Sequence, residues 1–163
     1  MPAILFRLAG VGLACVIASS ASAQLLTVKA LSAGVAVTMA TEAIAVCKQN
    51  GYAVSATVVG RGGQVIVQIR GDGTGPHTVE NSFKKAFTAR TFRIPSGEME
   101  ERLKKNPQMG AQYLTGFTTA RGALPIKVGE EVIGAAGVSG APGGEKDEAC
   151  VQAALDKAAD QLK

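Results

Sequence analysis

Two β-branched runs, "YAVSATVV" (52–59) and "QVIVQIR" (64–70), stand on either side of Gly60-Arg61-Gly62-Gly63. Residues of this type favour extended backbone, and a short glycine-rich interval between two such runs reverses the chain as a hairpin. A second pair, "ALPIKV" (123–128) and "EVIGAAGVSG" (131–140), meets at the tight turn Gly129-Glu130. Two hairpins commit the chain to antiparallel pairing, and the segments between them must supply whatever covers the sheet.

Those segments read as helices. From Thr27 to Asn50, apolar positions Val28, Leu31, Val35, Met39, Ala43 and Val46 recur at three- and four-residue steps, the mark of one buried helical face, and Gly51 supplies the stop. A second helix is expected from about Thr78, as its N-cap, with Val79, Phe83, Ala86, Phe87 and Ala89 along its apolar stripe and Pro95 ending it. Ser96 is expected to cap a short charged helix, "GEMEERLKK", that stops before Asn106-Pro107. The segment "QMGAQYLTGF" is ambiguous, and "GGEKDEACVQAALDKAADQL" reads as a closing helix with acidic residues in its first turn, where the helix dipole favours them. Helix, hairpin, helices, hairpin, helix describe an α+β domain, an antiparallel sheet with helices packed on it.

The first 23 residues stand apart. Arg7, an apolar run from Leu8 to Ala18 and the small residues Ala21-Ser22-Ala23 form the pattern of a secretory signal peptide, with cleavage expected before Gln24. The apolar run falls short of the roughly 20 residues that span a bilayer, so the expectation is an export address with no membrane anchor. Cys15 follows Gly12-Leu13-Ala14, with Gly12 where a lipoprotein signal would have a large aliphatic residue. Residues 24–163 are then one domain, periplasmic or secreted. Basic residues number 17 and acidic 13, but the charge is dispersed and aromatics are 4%, which argues against a nucleic-acid partner.

In an oxidising compartment the two cysteines beyond the leader, Cys47 and Cys150, suit a disulfide closing a loop of about a hundred residues; two buried thiols are the other reading. Candidate chemistry is sparse. There is no G-x-S-x-G elbow for a serine nucleophile, one histidine and two distant cysteines cannot make a closed zinc site, and the glycine run 137–144 matches neither nucleotide-binding fingerprint. His77 remains. It ends a glycine-rich segment where backbone can approach a ligand, and a neutral imidazole is a common axial ligand of haem iron; it is equally an ordinary residue flanking a helix.

The stretch "GDGTGPHTVENSFKKAFTARTF" resembles the central motif of the GlcG/HbpS-like haem-binding, or haem-degrading, family: Arg70, Asp72 and Gly73 form its turn, and Lys85, Ala86, Thr88 and Ala89 its helix. "VGEEVIGAAGVSG" and Asp147 are similar to the family's closing run, although Val58-Val59 is followed by Gly60-Arg61 where the family has an aspartate. The resemblance implies a profilin-like α/β/α sandwich, assembled as a homo-oligomer, with haem or a related tetrapyrrole as ligand and a sensor protein as a possible partner. It makes His77 the axial metal ligand, with Phe83 and Phe87, and also Phe92, against the macrocycle and Lys84, Lys85, Arg90 or Arg93 meeting the propionates. The sixth iron position would be open, or filled by Met99, Met109, Tyr113 or a second subunit. The resemblance leaves degradation or sensing open as a role beyond binding, and enzymatic activity is left undecided. The alternative is a cofactor-free module binding a small organic acid or a partner protein, since the basic residues and glycine-rich backbone suit any anion.

Overall fold

The computed structural model describes residues 24–163, so the expected signal peptide, 1–23, lies outside the described residues. Helix α1 (Ala33–Gln49) starts later than the apolar spacing predicts, because Ser32 caps it: its Oγ accepts from the Val35 N–H at 3.3 Å. Val28 is left exposed ahead of the helix, and the buried face is Ala36, Met39, Ala40, Ala43 and Cys47. Gly51, at φ 80°, then turns the chain out of the helix as expected.

The two hairpins form as read, β1 (Ser55–Val59) with β2 (Val65–Arg70) and β3 (Ala123–Val128) with β4 (Glu131–Ser139). They join along β1 and β4 into one antiparallel sheet of order β2-β1-β4-β3. Between the hairpins run α2 (Thr78–Phe92) and α3 (Glu98–Lys105), and the ambiguous segment makes two single 3-10 turns, Pro107–Met109 and Ala111–Tyr113. Helix α4 (Gly144–Ala158) closes the chain, with a last 3-10 turn at Ala159–Leu162.

Strand alternation sorts the sheet into two unlike faces. Ala56 and Val58 of β1, paired with Val138 and Ala136 of β4, join Met39, Val151 and Ala154 in the main apolar core beneath α1 and α4. Each fully buried valine there contributes about 1.5–3 kcal/mol. Ser55, Thr57 and Val59, paired with Ser139, Gly137 and Ala135, face α2 instead. The result is the expected α+β fold, an α/β/α sandwich around an antiparallel sheet.

Two local expectations give way. Helix α2 stops at Phe92, before Pro95 is reached, with Arg93 in the left-handed region at φ 59°. Ser96 does not cap α3, whose N-cap is Gly97; its Oγ donates to the Ala120 carbonyl at 2.8 Å and accepts from the Ala123 N–H at 3.1 Å, tying the entry of α3 to the start of β3. Among the described residues no helix is long and apolar enough to cross a membrane.

Cys47 of α1 and Cys150 of α4 are joined, their Cα atoms 5.6 Å apart and 103 residues apart in sequence. A loop that long raises stability mainly by restricting the unfolded chain, by about 4–5 kcal/mol. Reduction is expected to lower the urea midpoint by a corresponding amount, and unreduced, denatured protein to show no reactive thiol at Cys47 or Cys150. An unchanged midpoint would show that the bridge contributes nothing.

Candidate functional site

Helix α2 lies on the sheet almost backbone to backbone. A Cβ at Gly137 of β4 would fall 2.5 Å from the Ser82 carbonyl and 2.8 Å from the Ala86 nitrogen, so only glycine permits the approach. At that distance large side chains have no room, and the buried face of α2 is Thr78, Ser82, Lys85, Ala86, Thr88 and Ala89. The expected stripe is therefore rotated: Ala86 and Ala89 are buried, whereas Val79, Phe83 and Phe87 lie half-buried on a flank. Hydrogen bonds replace apolar packing in this seam. The hydroxyls of Ser55 and Thr78 meet at 2.8 Å and those of Thr57 and Ser82 at 2.7 Å; the Gln68 amide donates to Thr57 Oγ1 at 2.8 Å, and the Asn81 amide to Ser139 Oγ at 3.0 Å.

At its centre is a buried ion pair. Lys85 Nζ donates to Asp147 Oδ2 at 2.6 Å and to the Val138 carbonyl at 3.0 Å, and the Ala141 N–H donates to Asp147 Oδ1 at 3.0 Å. Gly122, at φ 128°, closes over the pair with no space for a Cβ, which would lie 2.7 Å from the Asp147 Cβ and 2.8 Å from Lys85 Nζ. Burial pushes the Asp147 carboxyl above the ordinary carboxylate range, against the opposing pull of Lys85 and the Ala141 N–H. Asp147 thus serves a specific cation rather than only the dipole of α4. Lys85, expected to meet a propionate, is 3% exposed and already engaged.

Above this pair a cleft of about 410 Å³ opens between His77, Asn81 and Lys85 on one side of α2, Arg121 ahead of β3, and the turn from Ser139 into α4. Positions 77, 81 and 85 are spaced four apart, which brings them to one side of the helix. His77 is itself the N-cap, makes no side-chain capping bond and is exposed. Thr78, expected as the cap, is the first helical residue; its hydroxyl is buried, sharing a hydrogen bond with Ser55 and donating to the Gly75 carbonyl at 2.9 Å. Gly75 leaves room for the imidazole, since a Cβ there would stand 2.9 Å from His77 Cε1. Arg121 is exposed, with Nε 3.7 Å from Glu148 Oε2. That oxygen is buried without a hydrogen bond among the described residues, and burial pushes the Glu148 carboxyl up while Arg121 draws it down.

The other residues picked from sequence do not line this cleft. Phe83 and Phe87 pair at 5.6 Å between ring centroids, and both pack under Gly116, with Gly63 against Phe87. Lys84 forms an ion pair with Glu80 at 2.5 Å. Arg90 stands about 20 Å along the helix axis from His77, at 1.5 Å per residue, so one chain does not bring the two together. Phe92 meets Phe117 edge to face at 5.9 Å. Met99 is fully buried and unavailable as an iron ligand, whereas Met109 and Tyr113 are exposed. Among the described residues no three His, Cys, Asp or Glu side chains converge to hold a metal ion. Sequence reasoning missed Asn81, Arg121 and Ser139; Asn81 carried a signal, one helical turn beyond His77, and Arg121 carried none.

Lys85→Met is expected to destabilise the fold by about 3–5 kcal/mol in urea unfolding, because it strands a buried carboxylate. Adding Asp147→Leu should recover much of that loss. Additive losses would mean that the pair is not energetically coupled.

Comparison with known proteins places this geometry. The crystal structure of HbpS superposes with a TM-score of 0.79 at 30% identity, covering 85% of this chain and 97% of that one. Protein ORFY of Klebsiella pneumoniae follows at 0.75 and 28%, covering 84% and 96%. The PduOC:heme complex shares the fold, at a TM-score of 0.70 and 21% identity over 77% and 93% of the two chains. Among curated proteins no match reaches significance. The model of the family described as "Haem degrading protein HbpS-like" matches residues 31–156, most of the domain built around the α2 seam, and the chain belongs to that family.

Proposed function

We propose that this is an exported haem-binding protein, periplasmic or secreted, in which His77 is the axial ligand of the iron. The observation that carries the reading is the setting of the single imidazole: exposed, free of any capping bond, and on a cleft that the exposed Arg121 also lines. The family's description and the haem complex of PduOC support the same ligand class. Haem, when bound, would supply the iron and its redox chemistry; the chain supplies the imidazole and the surface around it. Arg121 is the exposed cation of the cleft that suits a propionate, Lys84 is half-buried and would have to leave Glu80 to serve as a second, and Phe83 and Phe87 offer ring edges on the neighbouring flank. Arg90 is too far along α2 to serve the same haem, and would reach it from another copy in a symmetric homo-oligomer. Lys85 acts indirectly, fixing the position of α2. Export is supported by the leader pattern and by the disulfide, a bond at home in oxidising compartments. Degradation of haem, or contact with a sensor protein, would build on this bound state.

A second reading has its own support. Arg121 and the N-terminus of α4 border the same cleft, and both suit a small carboxylate, so the protein could work without a cofactor as a module for an organic acid or a partner. Titration of the mature chain with hemin should give a Soret band distinct from hemin in buffer, shifted or lost in His77→Ala. A band unaffected by that substitution removes His77 as ligand. No band at all, together with a rise in the thermal midpoint on adding organic acids, favours the cofactor-free module.

A further inference from the structure

A second cleft, of about 490 Å³, opens on the α1 side of the sheet, between the end of α1 and the end of β2. It shares no residue with the His77 cleft. Its apolar surface is Ile44 of α1 and Ile69 of β2, which pack on the main core, with the fully buried Val54 behind them. Two cations stand over that surface. Lys48, in the last turn of α1, is exposed and makes no ion pair among the described residues. Arg70 donates one Nη2 hydrogen bond to the Thr74 carbonyl at 2.9 Å, which anchors the guanidinium and leaves most of its five donors unused by the described residues. Asp72 is the one carboxylate in the lining, and a third cation, Lys146, lies 5.5 Å from the ring centroid of Tyr52. Gly71 keeps the wall closed: its N–H donates to the Val54 carbonyl at 3.1 Å, and a Cβ there would fall 2.2 Å from that oxygen. The Arg70-x-Asp72-Gly73 turn, which the haem reading leaves without a role, thus forms one side of a built cavity.

The volume is that of a small-molecule site, and the lining is an apolar surface with a few placed polar groups. Two cations against the single carboxylate of Asp72 favour one anionic head group between Lys48 and Arg70. We propose that this cleft is a second ligand site, for a small amphipathic organic anion whose hydrocarbon or aromatic body lies on Ile44 and Ile69. The site is independent of whether haem binds at His77.

An aryl sulfonate, 8-anilinonaphthalene-1-sulfonate, is a suitable fluorescent probe. The mature, oxidised chain should bind it saturably, and N-phenyl-1-naphthylamine, which has the same body without the charge, should bind more weakly. Lys48→Glu should weaken the sulfonate by about tenfold, two unit charges of change at a solvent-facing contact, while His77→Ala leaves its affinity unchanged. Lys48 is exposed, so the reversal should fold; Lys48→Gln, with a smaller loss, serves if the thermal midpoint falls. Equal sulfonate affinity in the native and Lys48 variants, equal affinity for the neutral analogue, or loss of binding in His77→Ala would each overturn the proposal.

Discussion

Lys85 reaches from α2, on one face of the sheet, past the end of β4 to the first turn of α4, which packs on the other face. Its ammonium and the Asp147 carboxylate therefore join three elements at a point where the sheet no longer separates the layers. Taking two charges out of water is costly, and the cost is offset only where geometry and secondary hydrogen bonds are good. Here the Val138 carbonyl and the Ala141 N–H provide those bonds, and Gly122 seals the pair. The turn that carries Ser139 to Gly144 is held by the same contacts. Both walls of the His77 cleft, α2 and the start of α4, are positioned by this one pair.

The two faces of the sheet are stabilised by different means. Beneath α1 and α4 the core is apolar and the two helices are cross-linked by Cys47 and Cys150. That side contributes most of the burial and, through the bridge, the restriction of the unfolded chain. Beneath α2 the packed residues are small or hydroxylated, and the apolar cluster holds only Val59, Ala86, Ala89, Ala123 and Ala135, with Phe83 against it.

Much of the fold was legible in the sequence: β-branched runs around glycine turns gave both hairpins, three- and four-residue spacing gave α1 and α2, and an Ala-rich run with acidic residues in its first turn gave α4. The face that α2 buries was not legible from hydrophobicity. A search for apolar residues selects Phe83 and Phe87, whereas the sheet meets Ser82, Lys85, Ala86 and Ala89, because Gly137 brings the backbones too close for rings. The signal lay in two distant places at once, small residues on α2 and a glycine in β4, and only their pairing gives it meaning. The same holds for the candidate site. His77 stood out as the single imidazole, but Arg121 comes from a loop far along the chain, and Lys85 reads as a partner for a propionate until Asp147 is seen opposite it.

Apolar contacts tolerate small slips of a helix over a sheet, since one methyl group is much like another; hydrogen bonds do not. Ser55 with Thr78, Thr57 with Ser82, and Lys85 with Asp147 succeed one another along α2, and a shift of one residue would leave each of these buried groups without its partner. The polar seam therefore fixes the register of α2 more sharply than an oily interface of the same area would. His77 lies immediately before Thr78, the first residue locked in this way. An exposed imidazole at a helix end is ordinarily free to wander with its loop. Here its backbone position is set by the buried hydroxyl next to it, so that a side chain with no hydrogen bond among the described residues is presented at a defined place on the surface.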